Sequence, residues 1–275
     1  MINKSVKHLI DAIGYVVAFL LIQTIVQFAA AFIWSQVKGQ ALDAVIMGMV
    51  NGSYTELLVI STAVSSLLTI LIFTLLKWAP VSRHWLASHP WAVIFWVILL
   101  SFGTILPTEW IYEQLQIAMP EQTVALFENI MKEPLGYLVI GILVPVAEEV
   151  VFRGGILRVL LALFSRNMHW IAIVISALIF GAVHMNLAQG IHAFVIGLLL
   201  GWMYYRTRSI FPGIVLHWIN NSVAYVMFNL MPDLADGKLI DLFHGDDKVM
   251  YMGIGFSLCI LLPAIFQLAI RMKEQ

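Results

Sequence analysis

Charged positions in this chain are few and clustered, and between the clusters run long stretches of apolar side chains. A helix crossing a hydrocarbon core of ~30 Å needs about 20 mainly apolar residues. By that measure eight segments are expected to span a membrane: 13–34, 57–76, 87–106, 135–152, 170–184, 191–205, 210–231 and 250–270. The fifth and sixth are the shortest. Lys4 and Lys7 precede an apolar stretch, as in a signal peptide, but seven further spans make an uncleaved first helix the expectation. Between the third and fourth spans, Glu121–Lys132 places Val124, Phe127 and Met131 on one helical face. That pattern suits a helix lying along the membrane surface.

Composition agrees. Apolar residues make up 61% of the chain and charged residues 11%, against roughly 25% charged in soluble proteins. The mean hydropathy is +0.92. A water-soluble globular fold is therefore excluded. The single cysteine, Cys259, rules out an intrachain disulfide and a Cys-rich zinc site. No basic stripe is present, so no nucleic-acid partner is expected. The expected fold class is an all-α polytopic membrane protein of about eight transmembrane helices. Its expected partner is the lipid bilayer.

The charges also orient the chain. With the N-terminus inside, the inner segments hold Lys4, Lys7, Lys77, Arg83, Arg158, Arg166, Arg206, Arg208, Arg271 and Lys273. The outer segments hold Lys38, Lys132, Lys238 and Lys248, and acidic residues collect there in 109–133 and 233–247. Both termini are expected to be cytoplasmic. Trp91, Trp170 and Trp202 fall near span ends, where interfacial anchors belong.

Sorting charges by position leaves three inside a span: Glu148, Glu149 and Arg153. An ionisable group within a span is costly and faces a bundle interior or a wet cavity. Adjacent residues on a helix point about 100° apart, so the two carboxylates cannot do the same job. Arg153 is four residues from Glu149, the spacing at which helical side chains meet. Glu149 and Arg153 are thus expected to pair, leaving Glu148 free for chemistry. The fifth span ends in Phe180 and His184, and the seventh carries His217, Asn220 and Asn221. Asn221 is one turn from His217 and shares its face, with Asn220 the near competitor. A buried Glu148 can take a proton from water, and His184 can hold or shuttle it. His217 and Asn221 can offer N–H groups to an oxyanion. These parts suit water attack on an amide.

At these residues the sequence resembles the CAAX-protease and bacteriocin-processing (CPBP, or Abi) family. Its Glu-Glu-x-x-x-Arg, Phe-x-x-x-His and His-x-x-x-Asn motifs stand here as Glu148-Glu149…Arg153, Phe180…His184 and His217…Asn221, in order. The resemblance implies an eight-helix intramembrane endopeptidase with Glu148 as base and His184 on the water. His217 and Asn221 would form the oxyanion site, supported by Glu149 and Arg153. The chain then divides into N-terminal helices and the outer amphipathic segment (1–134), a catalytic core (135–231), and an outer loop with the last span (232–275). Family members are often called metalloproteases. No His-Glu-x-x-His motif is present, and Asn221 is a poor zinc ligand. No required cofactor is therefore expected, with zinc on His184 and His217 the alternative. A non-catalytic bacteriocin-immunity or scaffold protein of the same fold, and a proton-coupled transporter, are the competing readings.

One expectation conflicts with the rest. A turn centred near Arg166 puts Glu148 and His184 at equal depth. Counting on through turns near Ala188 and Arg208 places His217 about 10 Å away along the membrane normal, at ~1.5 Å per residue.

Overall fold

The computed structural model describes residues 4–80, 84–117, 119–230 and 238–272. Arg83, Met231, Asp233 and Lys273, used in the sequence reading, lie outside the described residues. Eleven helices are described: α1 (Lys4–Lys38), α2 (Leu42–Val50), α3 (Thr55–Leu75), α4 (His84–Ala87), α5 (Trp91–Gln114), α6 (Glu121–Lys132), α7 (Tyr137–Leu163), α8 (His169–Ala182), α9 (Leu187–Thr207), α10 (Phe211–Leu230) and α11 (Asp247–Arg271). Among the described residues there is no strand. The protein is an all-α polytopic membrane protein.

Each of the eight apolar segments is mainly helical over its described residues, but they are not equal as spans. Five helices are long and apolar enough to cross a membrane alone: α1, α3, α5, α9 and α11. A sixth span arises if α6 and α7, bent by 106° at their junction, are taken together. The other two segments fall below that measure for a simple reason. α8 is only 14 residues long, and α10 carries His217, Asn220, Asn221 and Ser222, which lower its hydropathy. α1 presents Ile10, Ile13, Leu21, Ile25, Phe28 and Ile33 outward, as a helix facing lipid would. Trp91 and Trp170 are exposed as anchors, whereas Trp202 is half-buried and packs on the core.

The bundle is assembled around α7, which touches α1, α3, α8, α9 and α10. Lipid tails are as apolar as leucine, so helices associate through close packing over small residues. The α8–α9 hairpin uses such a seam: Ala177 meets Gly197, Gly181 meets Gly190, and Ile173 meets Gly201. On the other side, α5 and α11 approach so closely that a Cβ on Gly103 would lie 2.8 Å from the Leu261 backbone nitrogen. α7 itself is irregular. Tyr137–Leu143 and Val150–Leu157 are π-helical, flanking a short α-helical stretch, Val144–Glu149. Such i→i+5 turns are rare and concentrate at functional sites.

Contacts along α10 remove the depth conflict. Ile210 lies beside Gly154, 3.7 Å from where its Cβ would be, and Gly213 meets Glu149. α10 therefore begins level with Gly154, well inside the inner end of α9. Residues 208–210 are not helical. A non-helical chain advances up to ~3.5 Å per residue against ~1.5 Å in a helix, so three residues recover up to ~6 Å of the missing ~10 Å.

Candidate active site

α7 carries the carboxylates. Glu149 is wholly buried and accepts a 2.7 Å hydrogen bond from Arg153 Nη1, one turn along the same helix. Arg153 Nη2 reaches the Gly197 carbonyl on α9 at 3.4 Å. Its guanidinium carbon sits 4.4 Å over the Phe180 ring. The pair thus has the expected spacing and the expected geometry. Among the described residues one Glu149 oxygen, Oε2, has no hydrogen-bond partner; it lies against Gly213, where a Cβ would stand 2.6 Å from it. Gly213 is required for α10 to come this close.

His217 on α10 lies between the two carboxylates. Its Nδ1 is 3.4 Å from Glu149 Oε1 and its Nε2 is 3.5 Å from Glu148 Oε2. A neutral imidazole has one N–H and can donate to one of them, while an imidazolium can donate to both. Glu148 differs from Glu149 in access: its side chain is 13% exposed, that of Glu149 0%. The carboxylate with a water-accessible face is the one not committed to Arg153.

Phe180, on α8, is the common wall of the site. Its ring meets His184 edge-on at 5.2 Å and His217 edge-on at 5.8 Å, and it packs on Phe152 at 4.9 Å. His184 itself lies just past the end of α8, before Met185 in the left-handed region with φ 60°. Its Nδ1 is 2.8 Å from the Phe180 carbonyl. A carbonyl only accepts, so Nδ1 carries the proton and Nε2 is left as an acceptor in the neutral ring. Among the described residues no hydrogen bond joins His184 to Glu148.

The two asparagines diverge. Asn221 Nδ2 donates to the Ile140 carbonyl, in the first π-helical stretch of α7, at 3.0 Å. Asn220 Nδ2 lies 3.4 Å from His192 Nε2 on α9. His192 is also in electrostatic range of His184 and His217, and meets Tyr112 of α5 edge-on at 6.5 Å. His192 stands outside the three motifs, and its partners come from α5 and α10. Tyr137 was missed. Its hydroxyl accepts from Trp218 Nε1 at 3.0 Å and shares a 3.0 Å hydrogen bond with Ser222. Together with Asn221 it fastens α10 to the start of α7.

Zinc needs three or four His, Cys or carboxylate ligands at about 2.0–2.3 Å. Among the described residues no three such side chains converge on a common point, and Glu149 is already held by Arg153. The described residues do not fit a zinc site on His184 and His217.

The protein is similar to known proteins over this region. Residues 131–223 match the family described as "Type II CAAX prenyl endopeptidase Rce1-like". Over 107 residues the chain is 32% identical to the Bacillus subtilis (strain 168) protein named "Putative membrane peptidase YdiL". That match covers 39% of this chain and 43% of the relative, so the chain spans less than half of the relative's length. No solved structure matches. The matched family segment contains Glu148, Glu149, Arg153, Phe180, His184, His217 and Asn221.

Proposed function

We propose that the protein is an intramembrane endopeptidase in which Glu148 activates water for attack on a peptide carbonyl. The observation that carries this reading is the unequal pair of adjacent carboxylates. Glu149 is neutralised by Arg153 at 2.7 Å, while Glu148 keeps an accessible face and has His217 3.5 Å away. A positioned general base contributes about 10²–10⁴-fold in rate.

In this reading Glu148 takes one proton from water as its oxygen bonds to the carbonyl carbon. His184 Nε2 accepts the water's other hydrogen and orients it. Negative charge develops on the former carbonyl oxygen, and N–H groups of His217 and the free amide hydrogen of Asn221 stabilise it. One such donor is worth about 2.7–4 kcal/mol. Glu148 then passes its proton to the amide nitrogen as the carbon–nitrogen bond breaks, leaving a carboxylic acid and an amine. His192, through Asn220, fixes the α9 side of the cavity. The substrate is a peptide or a segment of a membrane protein. The family to which residues 131–223 match carries a prenyl-peptide name, so a farnesylated CAAX peptide is a rational first probe.

The test uses the full chain in proteoliposomes with farnesylated and unmodified peptides of one sequence, products being read by mass spectrometry. Wild type should cleave at least one, and Glu148→Gln and His184→Ala should lose cleavage at unchanged folding. Equal cleavage by all three proteins sinks the reading. Absence of cleavage by wild type, in this assay and in membranes of the producing cell, favours the scaffold or immunity reading. Chelator treatment of the wild-type protein should leave cleavage undiminished.

A further inference from the structure

The first π-helical stretch of α7 releases one backbone carbonyl to the site. In an α-helix the Ile140 carbonyl would accept from the N–H four residues on, that of Val144. Here the Val144 N–H turns back five residues, to Val139. The next N–H in that register would come from residue 145, a proline, which has none. Pro145 is buried, where the helix returns from π to α register. The Ile140 carbonyl is thus left to a neighbour, and Asn221 Nδ2 donates to it from α10 at 3.0 Å. A carbonyl only accepts, so the contact fixes which end of the Asn221 amide faces α7 and leaves it one N–H hydrogen. The same seam is held beside it. Gly141 leaves room for the Tyr137 ring, where a Cβ would stand 2.7 Å from it, and the Tyr137 hydroxyl meets Trp218 and Ser222 of α10. The second π-helical stretch repeats the device, its Phe152 carbonyl accepting from Ser176 Oγ of α8 at 3.3 Å.

We propose that Pro145 is a positioning residue: by withholding an N–H from Ile140, it keeps Asn221 aimed at the developing oxyanion. The inference rests on the peptidase reading above, in which Asn221 supplies one N–H to the former carbonyl oxygen. A free asparagine side chain turns through several rotamers and presents either end of its amide. Tying one Nδ2 hydrogen to a backbone carbonyl selects the donating end before substrate arrives, and donors set in advance are what make an oxyanion site effective. Replacing the proline therefore has opposite effects on folding and on chemistry. An added N–H favours the helix, and it takes from Asn221 the carbonyl that holds it.

The test compares Pro145→Ala, Asn221→Ala and wild type as full chains, by nuclear magnetic resonance in micelles and by cleavage in proteoliposomes. With asparagine selectively labelled, the Asn221 side-chain amide signal is assigned by its disappearance in Asn221→Ala. In Pro145→Ala that signal should move upfield, as loss of a hydrogen bond requires. kcat should fall by the factor seen for Asn221→Ala, about 10²–10³ for one oxyanion donor, at wild-type KM. The unfolding temperature should hold or rise. The double variant should be no slower than Asn221→Ala. Ile142→Ala, in the same stretch but exposed, should keep the wild-type signal and kcat. Pro145→Val, which also restores the N–H, repeats the comparison should Pro145→Ala fail to fold. An unmoved signal in Pro145→Ala overturns the inference and leaves the peptidase reading standing. So does a further loss in the double variant, or an equal loss in Ile142→Ala. A moved signal with wild-type kcat removes Asn221 from the reaction, and Pro145 with it. The signal needs no substrate: if wild type cleaves nothing, the peptidase reading fails, whereas the signal still shows whether Pro145 holds Asn221.

Discussion

The His217 ring touches both members of the Glu148-Glu149 dyad, through Nε2 at 3.5 Å and Nδ1 at 3.4 Å. Neighbouring residues on one helix are thereby joined through a third residue from another, and their difference in partner sets their difference in role.

The first prediction separates them. Glu149→Gln removes the charge that compensates a buried arginine, and breaking a buried pair costs about 3–5 kcal/mol. The variant should lose folded protein in a thermal unfolding assay. Glu148→Gln should unfold within about 1 kcal/mol of wild type, and its cleavage should fall about 10²–10⁴-fold. Matching stability losses for the two would show that the carboxylates are equivalent.

Gly213 tests the packing behind the dyad. Gly213→Ala puts a methyl 2.6 Å from Glu149 Oε2, whereas Gly255→Ala meets nothing within 4 Å. The first should lower the unfolding temperature and cleavage together. The second should change neither. Normal behaviour of Gly213→Ala would show that α10 can retreat without harm.

Phe180 separates Arg153 from the imidazoles. Phe180→Ala should cost about 3–5 kcal/mol from the cavity it leaves, besides losing the contact of its ring with the guanidinium, worth ~0.5–2 kcal/mol. Phe180→Leu keeps much of the volume and should unfold between wild type and Phe180→Ala. Equal unfolding temperatures for the two variants would assign the whole effect to the ring contact.

His192 and Asn220 should act as one unit. His192→Phe and Asn220→Ala are expected to lower kcat by similar factors with little change in unfolding temperature. The double variant should be no worse than either single one, because groups in one hydrogen bond are not additive. Multiplying losses would show that the contact between them has no functional part.

The sequence made some of this readable and left the rest obscure for geometric reasons. The Glu149–Arg153 pair was legible because four-residue spacing fixes direction around a helix axis. The different setting of Glu148 followed from the same rule. Position along the axis is another matter: it depends on every turn between two helices, and the non-helical residues 208–210 shift His217 by up to about one helical turn from a simple count. His192 and Tyr137 could not be ranked, since their partners lie far away in sequence. The 106° bend between α6 and α7 had no marker beyond the Pro134 and Gly136 that surround it. Short α8 and polar α10 fall below the length and hydropathy of a lone span because they derive their surroundings from neighbours rather than from their own side chains.

The Glu149–Arg153 bond lies within α7 alone, and that bears on biosynthesis. A helix carrying three ionised side chains into the bilayer faces about 2.5–3.5 kcal/mol for each one near its centre. Two of the three can neutralise each other as soon as the helical turn between them exists, before α8, α9 or α10 has arrived. The segment then enters the membrane with one net charge rather than three separate ones. The order of synthesis fits this, because the histidine that later sits between the carboxylates is made 68 residues after Glu149.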